Sequence, residues 1–407
     1  MTDESVGGGG RSARPLIRLT AALRKLSASA PRTIDVRGVA DLLSEAASEV
    51  KKHQHPTTVG VDIEADVQPL LDALLTLLSA TDKELWRPEA AAAGGAPARC
   101  MEAATALLAA VVAACRRSEA GLAKDVAMRC TDCANALVNM FLLNQGRRLG
   151  GGGSPGLSNT LRHIYHSIAL GVIEAEGSDE EPDPMAPLEV GRVFDAYSTS
   201  YDEAMQSLQY SVPGKISAWV AEQQAQAEPP RLCWRTVADL GCGTGLMGRV
   251  TRAACAHLSG CDISPGMVLT AAELRIYDEL AVQDCCSFLD GRPASSLDLV
   301  IAADVVEYIG DVGALFRAAA AALAPQGHLI VSAESLEASA KRHGLPESSC
   351  QEGFCLLPSE RYAHTAEYLQ AAAAGAALQV ADVSALECLR EEEDERLPGW
   401  LCFLRKG

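Results

Sequence analysis

In this chain of 407 residues, an aspartate at Asp239, glycines at Gly241, Gly243 and Gly245, and a second aspartate at Asp262 have the types and spacing to do chemistry. The first four lie in Val237-Ala-Asp-Leu-Gly-Cys-Gly-Thr-Gly-Leu-Met-Gly248, which reads as a short buried strand over 236–240, a glycine turn, and a helix from Leu246. Glycines let the backbone approach a ligand closely, and the unpaired N–H groups at the helix start welcome an anionic group. Gly243 to Gly248 satisfies G-x-G-x-x-G, with Asp262 roughly 20 residues on, as in dinucleotide sites. Asp239 argues for another ligand. A carboxylate just before the glycines repels a pyrophosphate but suits an ammonium or a sulfonium.

The full string Asp239-Leu-Gly-Cys-Gly-Thr-Gly245 resembles the first motif of class I S-adenosylmethionine-dependent methyltransferases. That resemblance implies S-adenosyl-L-methionine as cofactor, held at Asp239, Gly241, Cys242, Gly243 and Gly245. At the end of the next strand Asp262 can accept both ribose hydroxyls; the competing role, capping the helix that starts at Pro265, is better served by Ser264. By resemblance, Ile263 and Met267 make apolar contacts near the adenine, and Asp284 with the backbone around Cys285 faces the adenine amino group.

A closer likeness runs through Phe194-Asp-x-Tyr-x-x-x-Tyr-Asp202, Leu208-x-Tyr-x-Val-Pro213, the glycine string, Cys261-Asp-Ile-Ser-Pro-Gly-Met267, Tyr277-Asp-Glu-Leu280, Ala302-Ala-Asp-Val-Val-Glu-Tyr308 and Leu357-Pro-Ser-x-Arg-Tyr-x-His364. It resembles predicted methyltransferases that carry tetratricopeptide repeats ahead of the catalytic domain, and covers roughly the last 215 residues. The repeat pattern itself is not found in 35–176.

Helical spacing puts Phe194, Tyr197 and Tyr201 on one face, suited either to an aromatic lid over a sulfonium or to packing on a sheet. The apolar run 296–303 reads as a buried parallel strand with Asp304, Glu307 and Tyr308 at its C-terminal end, where ligands bind in open α/β sheets. Methyl transfer needs alignment and exclusion of water, with a base if the acceptor is a hydroxyl or an acidic carbon. His364 is the first candidate base and Tyr308 the second. Arg361, with Tyr362 beside it, suits a substrate carboxylate. No metal is required.

The elements that must position these residues form a Rossmann-like α/β sheet of seven strands, the last antiparallel, over 191–407. Before it, an all-α domain spans 34–176, with about five amphipathic helices and loops at 90–97 and 146–155. Cys130-x-x-Cys133 falls on one helix face and reads as buried thiols rather than a metal or redox pair. An acidic, proline-rich linker covers 177–190, and a flexible basic tail covers 1–33. Its segment 11–32 has the composition of an organelle transit peptide or of a plain basic tail.

The net charge of −18 disfavours a nucleic-acid substrate. Fourteen cysteines dispersed through a long chain, without a secretory apolar core near Met1, point to reduced thiols and a cytoplasmic setting, with organelle import as the alternative. No stretch is long enough for a membrane span. The expected function is methyl transfer to a small molecule or a protein side chain, the helical domain meeting a protein partner or shaping the entrance. The alternatives are an inactive methyltransferase-fold adaptor and an NAD-dependent dehydrogenase.

Overall fold

The computed structural model describes residues 20–21, 36–52, 63–80, 96–116, 124–146, 161, 164, 187–226, 232–345, 352–392 and 395–407. The basic tail, apart from 20–21, and the linker residues 177–186 lie outside the described residues. Chain contacts divide the molecule into Met1–Ser178 and Asp179–Gly407.

In the first unit, α1 (Val36–Lys52), α2 (Ile63–Ala80), α3 (Ala96–Arg116) and α4 (Lys124–Gly146) follow one another. Leu43 and Val50, Leu70 and Leu74, Leu107 and Val111, and Leu137 recur at helical spacing and are all buried. Of the expected fifth helix only Leu161 and Ile164 are described, and both are buried. Cys130 and Cys133 are fully buried, and the Cys133 thiol donates to the Leu71 carbonyl at 3.6 Å. Burial pushes both thiols up, Cys133 to about 12, so they stay protonated within the helical core.

The second unit opens with α5 (Pro187–Tyr197), α6 (Tyr201–Ser207) and α7 (Val212–Gln226). Residues 187–190, expected as linker, are helical, because proline is pre-shaped for the first helical turn. The alternation then runs β1 (Trp234–Leu240), α8 (Leu246–Thr251), β2 (Cys255–Asp262), α9 (Pro265–Glu273), β3 (Glu279–Val282), α10 (Cys285–Asp290) and β4 (Leu297–Ala302). It continues with α11 (Gly313–Ala322), β5 (Leu323–Glu334), α12 (Leu336–His343), β6 (Phe354–Leu356), β7 (Tyr362–His364), α13 (Ala366–Gly375), β8 (Leu378–Glu392) and β9 (Glu395–Lys406).

Seven strands form one sheet in the order β3-β2-β1-β4-β5-β9-β8, with β9 antiparallel to both its neighbours. The expected Rossmann-like sheet is therefore present. Leu240 pairs with Cys261 on one side and Ala302 on the other, so the C-terminal ends of β1, β2 and β4 open at one edge. Each face has its own core. One gathers Phe288 and Phe316 against Val300 and Leu329; the other sets Trp234 and Leu299 beneath α7, where Trp219 stacks on Trp234 at 5.4 Å.

Three local features complete the unit. The helix after the glycines stops at Thr251, where Arg252 turns the chain by donating to the Cys255 and Ala256 carbonyls at 3.0 and 2.9 Å. A small hairpin, β6–β7, pairs Phe354 with His364; its three-residue strands are too short to leave an alternation pattern. Glu391 and Glu392 belong to β8, where cross-strand pairing extends to Glu392 and Glu395. Among the described residues no helix is long and apolar enough to cross a membrane.

Phe316 is fully buried at the centre of its core. Phe316→Ala should destabilise this unit by about 3–5 kcal/mol in denaturant titration, and a loss below 1 kcal/mol would contradict this packing.

Candidate functional site

The glycine turn is a backbone structure held from several sides. Gly241, Gly243 and Gly245 take positive φ values of 59°, 52° and 95°, in the left-handed region that side chains resist. The Cys242 amide donates to the Cys261 carbonyl at 2.9 Å, tying the turn to the end of β2, while the Cys242 thiol is buried beneath it. The helix that follows has only six residues, so its end charge is modest and the loop amides are the stronger anion donors.

Asp262 joins that loop to the next one. Its Oδ2 accepts from the Gly243 amide at 2.9 Å and its Oδ1 from the Ser264 amide at 2.8 Å. Burial pushes its carboxyl up to about 6, against the pull of those amides. The expected cap falls to Ser264, whose Oγ accepts from the Met267 amide at 3.1 Å. Asp262 is thus left with lone pairs for a further donor. Ile263 is half-buried beside it, and its carbonyl lies 3.2 Å from where a Cβ on Gly191 would stand; Met267 is buried. Asp284 caps α10 by accepting from the Ser287 amide at 2.9 Å, with Cys285 half-buried next to it.

Asp239 is enclosed behind the glycine turn. It is 1 % exposed, accepts from the Tyr277 hydroxyl at 2.6 Å, and is pushed up to about 7 by burial. The expected direct contact with a cationic ligand is replaced by a brace, because the Tyr277 ring passes behind the loop. A Cβ on Gly248 would overlap the Tyr277 hydroxyl, and one on Gly260 would stand 2.9 Å from its ring. Both glycines therefore clear a path for Tyr277. Its partnership with Asp239 was hidden by sequence distance, although the two glycines around one tyrosine are the trace it leaves.

The aromatic face is also rearranged. A turn at 198–200 separates α5 from α6, so Phe194, Tyr197 and Tyr201 do not share one helix face. Tyr197 is 53 % exposed. Phe194 instead meets Tyr201 and Tyr308 edge-on, with ring centroids 6.1 and 5.3 Å apart. The intervening Asp195 is a residue that composition did not single out. It is buried, accepts from Ser264 Oγ at 2.6 Å and the Gly266 amide at 2.8 Å, and burial pushes it up to about 7. It ties α5 to the turn after Asp262.

Asp304 stands past the end of β4 at φ 59°, a strained conformation for a non-glycine residue. Its amide donates to Ser332 Oγ at 2.9 Å, and among the described residues its carboxylate takes only long contacts, 3.4 Å from Tyr201 Oη and 3.4 Å from Arg390 Nη1. Arg390 is the centre of a buried network. It pairs with Glu334 through Nη2 and with Glu392 Oε1 through Nε at 2.8 Å. A register shift between Leu386 and Arg390 interrupts the β8 ladder at this point. Glu307, also fully buried, has no hydrogen-bond partner on either oxygen among the described residues; burial and the nearby Asp304 push its carboxyl well above the usual range.

The structure holds both expected bases in their neutral forms. His364 is fully buried, with Nε2 3.0 Å from the Ile309 carbonyl and 3.0 Å from that of Gly310. Nε2 thus donates to backbone, burial keeps the ring neutral, and His364 fastens β7 to the segment after β4. Tyr308 is held protonated by burial and by Asp304, which makes it a hydrogen-bond donor rather than a base. Arg361, expected to grip a substrate carboxylate, already donates through Nη2 to Glu392 at 2.5 Å and lies 3.9 Å from Glu334. Tyr362 packs edge-on against Phe354 in the small hairpin. Among the described residues no group of three or more His, Cys, Asp or Glu could hold a metal ion.

The second unit is thus a Rossmann-like seven-stranded sheet with a glycine turn after β1 and an acid ending β2. Residues 238–329 match the family model described as a methyltransferase domain. A ubiquinone biosynthesis O-methyltransferase of Bradyrhizobium diazoefficiens is 33 % identical over 97 residues, covering 24 % of this chain and 38 % of that protein. A trans-aconitate 2-methyltransferase of Klebsiella pneumoniae is 33 % identical over 142 residues, 31 % of this chain and 52 % of that protein. The chain thus spans about half or less of the length of these two relatives. Among solved structures, the N-methyltransferase NodS of Bradyrhizobium japonicum in complex with S-adenosyl-L-homocysteine is similar at 18 % identity and a TM-score of 0.34, over 47 % of this chain and 86 % of that one.

The Tyr277 brace is directly testable. Tyr277→Phe removes a donor from a buried carboxyl and should cost about 1–3 kcal/mol of stability, read as a lower urea midpoint; an unchanged midpoint would mean that Asp239 finds another partner.

Proposed function

We propose that the C-terminal unit binds S-adenosyl-L-methionine and transfers its methyl group to a small-molecule acceptor. The observation that carries this reading is Asp262, a buried carboxylate tied to the Gly243 and Ser264 amides with lone pairs left for a ribose diol. The positive-φ glycines leave room for backbone approach, and the amides after them suit a carboxylate. Ile263 and Met267, with Asp284 and Cys285 across from them, would line the adenine end.

When bound, the cofactor supplies a methyl carbon already activated by a sulfonium. The chain's own part is then alignment and exclusion of water. Phe194, Tyr201 and Tyr308 supply an aromatic wall to which a cation is attracted. Asp304, with only long contacts on its carboxylate, is the best-placed proton acceptor for an acceptor hydroxyl or amine, in the place first given to His364. The relatives' names, a ubiquinone-pathway enzyme and an enzyme of trans-aconitate, support a small-molecule acceptor over a protein side chain. Arg361 and Arg390 are already neutralised by Glu334, Glu392 and Asp304, which favours an acceptor without a carboxylate at this point.

The dispersed cysteines favour a cytoplasmic setting, with organelle import as the alternative.

Calorimetric titration with S-adenosylmethionine, S-adenosylhomocysteine and NAD tests the reading. The first two should bind, and Asp262→Ala should weaken them by about 1.5–3 kcal/mol; binding of NAD alone would overturn it. Asp262 must be ionised to accept ribose hydroxyls, and its pKa is raised to about 6. Affinity should therefore be full above pH 7 and fall about tenfold by pH 5, whereas a flat profile would remove Asp262 from the contact.

A further inference from the structure

The segment Tyr201 to Ser207 lies over the glycine loop with no fully buried residue, its Tyr201 ring edge-on to Phe194. Two adjacent side chains hold it there. The Tyr201 ring reaches the loop, 4.0 Å from where a Cβ on Gly243 would stand, and its hydroxyl points to Asp304 at 3.4 Å. The Asp202 carboxylate takes the Thr244 hydroxyl on one oxygen and Arg249 Nη1 on the other at 2.9 Å. Thr244 sits between two loop glycines and is 2 % exposed; Arg249 lies one turn into α8.

Both flanks of α6 are tied elsewhere. The Ser198 hydroxyl donates to the Asp195 carbonyl at 2.9 Å, and the Ser198 carbonyl accepts from Thr270 Oγ1 at 3.3 Å. On the other side the Glu391 amide donates to the Leu208 carbonyl at 2.6 Å and the Ser211 amide to the Leu389 carbonyl at 3.0 Å. Between these anchors Gln209 takes φ 50°, a sharp left-handed bend at the end of the short helix. The chain from 199 to 207 is thus a strap with fixed ends and a middle held by Tyr201 and Asp202.

We propose that Asp202 is a positioning residue that fastens α6 as a lid across the cofactor cleft, so that its release opens the cleft for exchange of S-adenosylmethionine and S-adenosylhomocysteine. The proposal rests on the reading of this unit as a methyltransferase. The latch has two unequal arms. The bond from Thr244 is charge-assisted and shielded. The pair with Arg249 is open to water, with side chains 41 % and 45 % exposed, so it contributes little and is weakened by salt. A catch of that strength holds a lid closed between turnovers and still lets product leave.

Stopped-flow dissociation of S-adenosylhomocysteine from the full-length chain tests it. Asp202→Ala should release the ligand about tenfold faster than wild type, with the thermal midpoint of the unit unchanged. Arg249→Ala should speed release about twofold, and should abolish the acceleration that wild type shows as salt rises from low to high ionic strength. A purely structural role for Asp202 would lower stability without changing that salt response. If wild type binds the ligand and both variants release it at the wild-type rate and salt slope, the lid proposal fails while the methyltransferase reading stands. If Asp202→Ala does not fold, Arg249→Ala decides alone, an unchanged rate and slope overturning the proposal. If wild type binds no S-adenosylhomocysteine, the functional reading falls and the lid with it.

Discussion

The bond from the Gly243 amide to the Asp262 carboxylate, 2.9 Å long, is the contact on which the second unit's cleft depends. It couples the end of β1 to the end of β2, and the other oxygen of Asp262 couples both to the turn that starts α9. Asp195 grips that turn from the opposite side, and Tyr277 braces the strand behind the glycines through Asp239. Three buried carboxyls are therefore used as clamps, Asp195 and Asp262 on backbone amides and Asp239 on the Tyr277 hydroxyl, each raised by burial to about 6 or 7. Such groups are tolerable in a low-dielectric site only because amides and hydroxyls point at them.

The opposite bank is built on ion pairing. Arg390 joins Asp304, Glu334 and Glu392 at the ends of β4, β5 and β8, and Arg361 attaches the small hairpin to the same group. Taking these charges out of water is costly, and their mutual attraction offsets the cost only when the geometry is complete. The arrangement keeps Asp304 beside the Phe194, Tyr201 and Tyr308 rings despite its strained backbone. Glu307, without a hydrogen-bond partner among the described residues, adds a carboxyl that burial and Asp304 keep protonated.

Much of this was legible in the sequence because its cause is local. The glycine spacing required positive φ, the apolar runs required buried parallel strands, and Asp262 followed at the spacing that one strand and one helix impose. Tertiary partners left no comparable trace. His364 read as a base because imidazole is the usual base; its Nε2 is consumed by two backbone carbonyls contributed from more than fifty positions away, Ile309 and Gly310. Arg361 read as a substrate clamp until Glu392 was brought against it by a strand that continued through a charged run. Asp239 read as a ligand contact because its partner, Tyr277, lies on the far side of β2 in sequence. The hairpin β6–β7 was too short to have a period.

The most direct measurement of the central claim is amide hydrogen exchange with and without S-adenosylmethionine. If Asp262 and the glycine loop form one cofactor clamp closed by α6, then the amides of 241–245, 263–267 and 201–208 should gain protection together, at the same ligand concentration. Protection confined to another part of the sheet, or none in these three segments at saturating ligand, would contradict it.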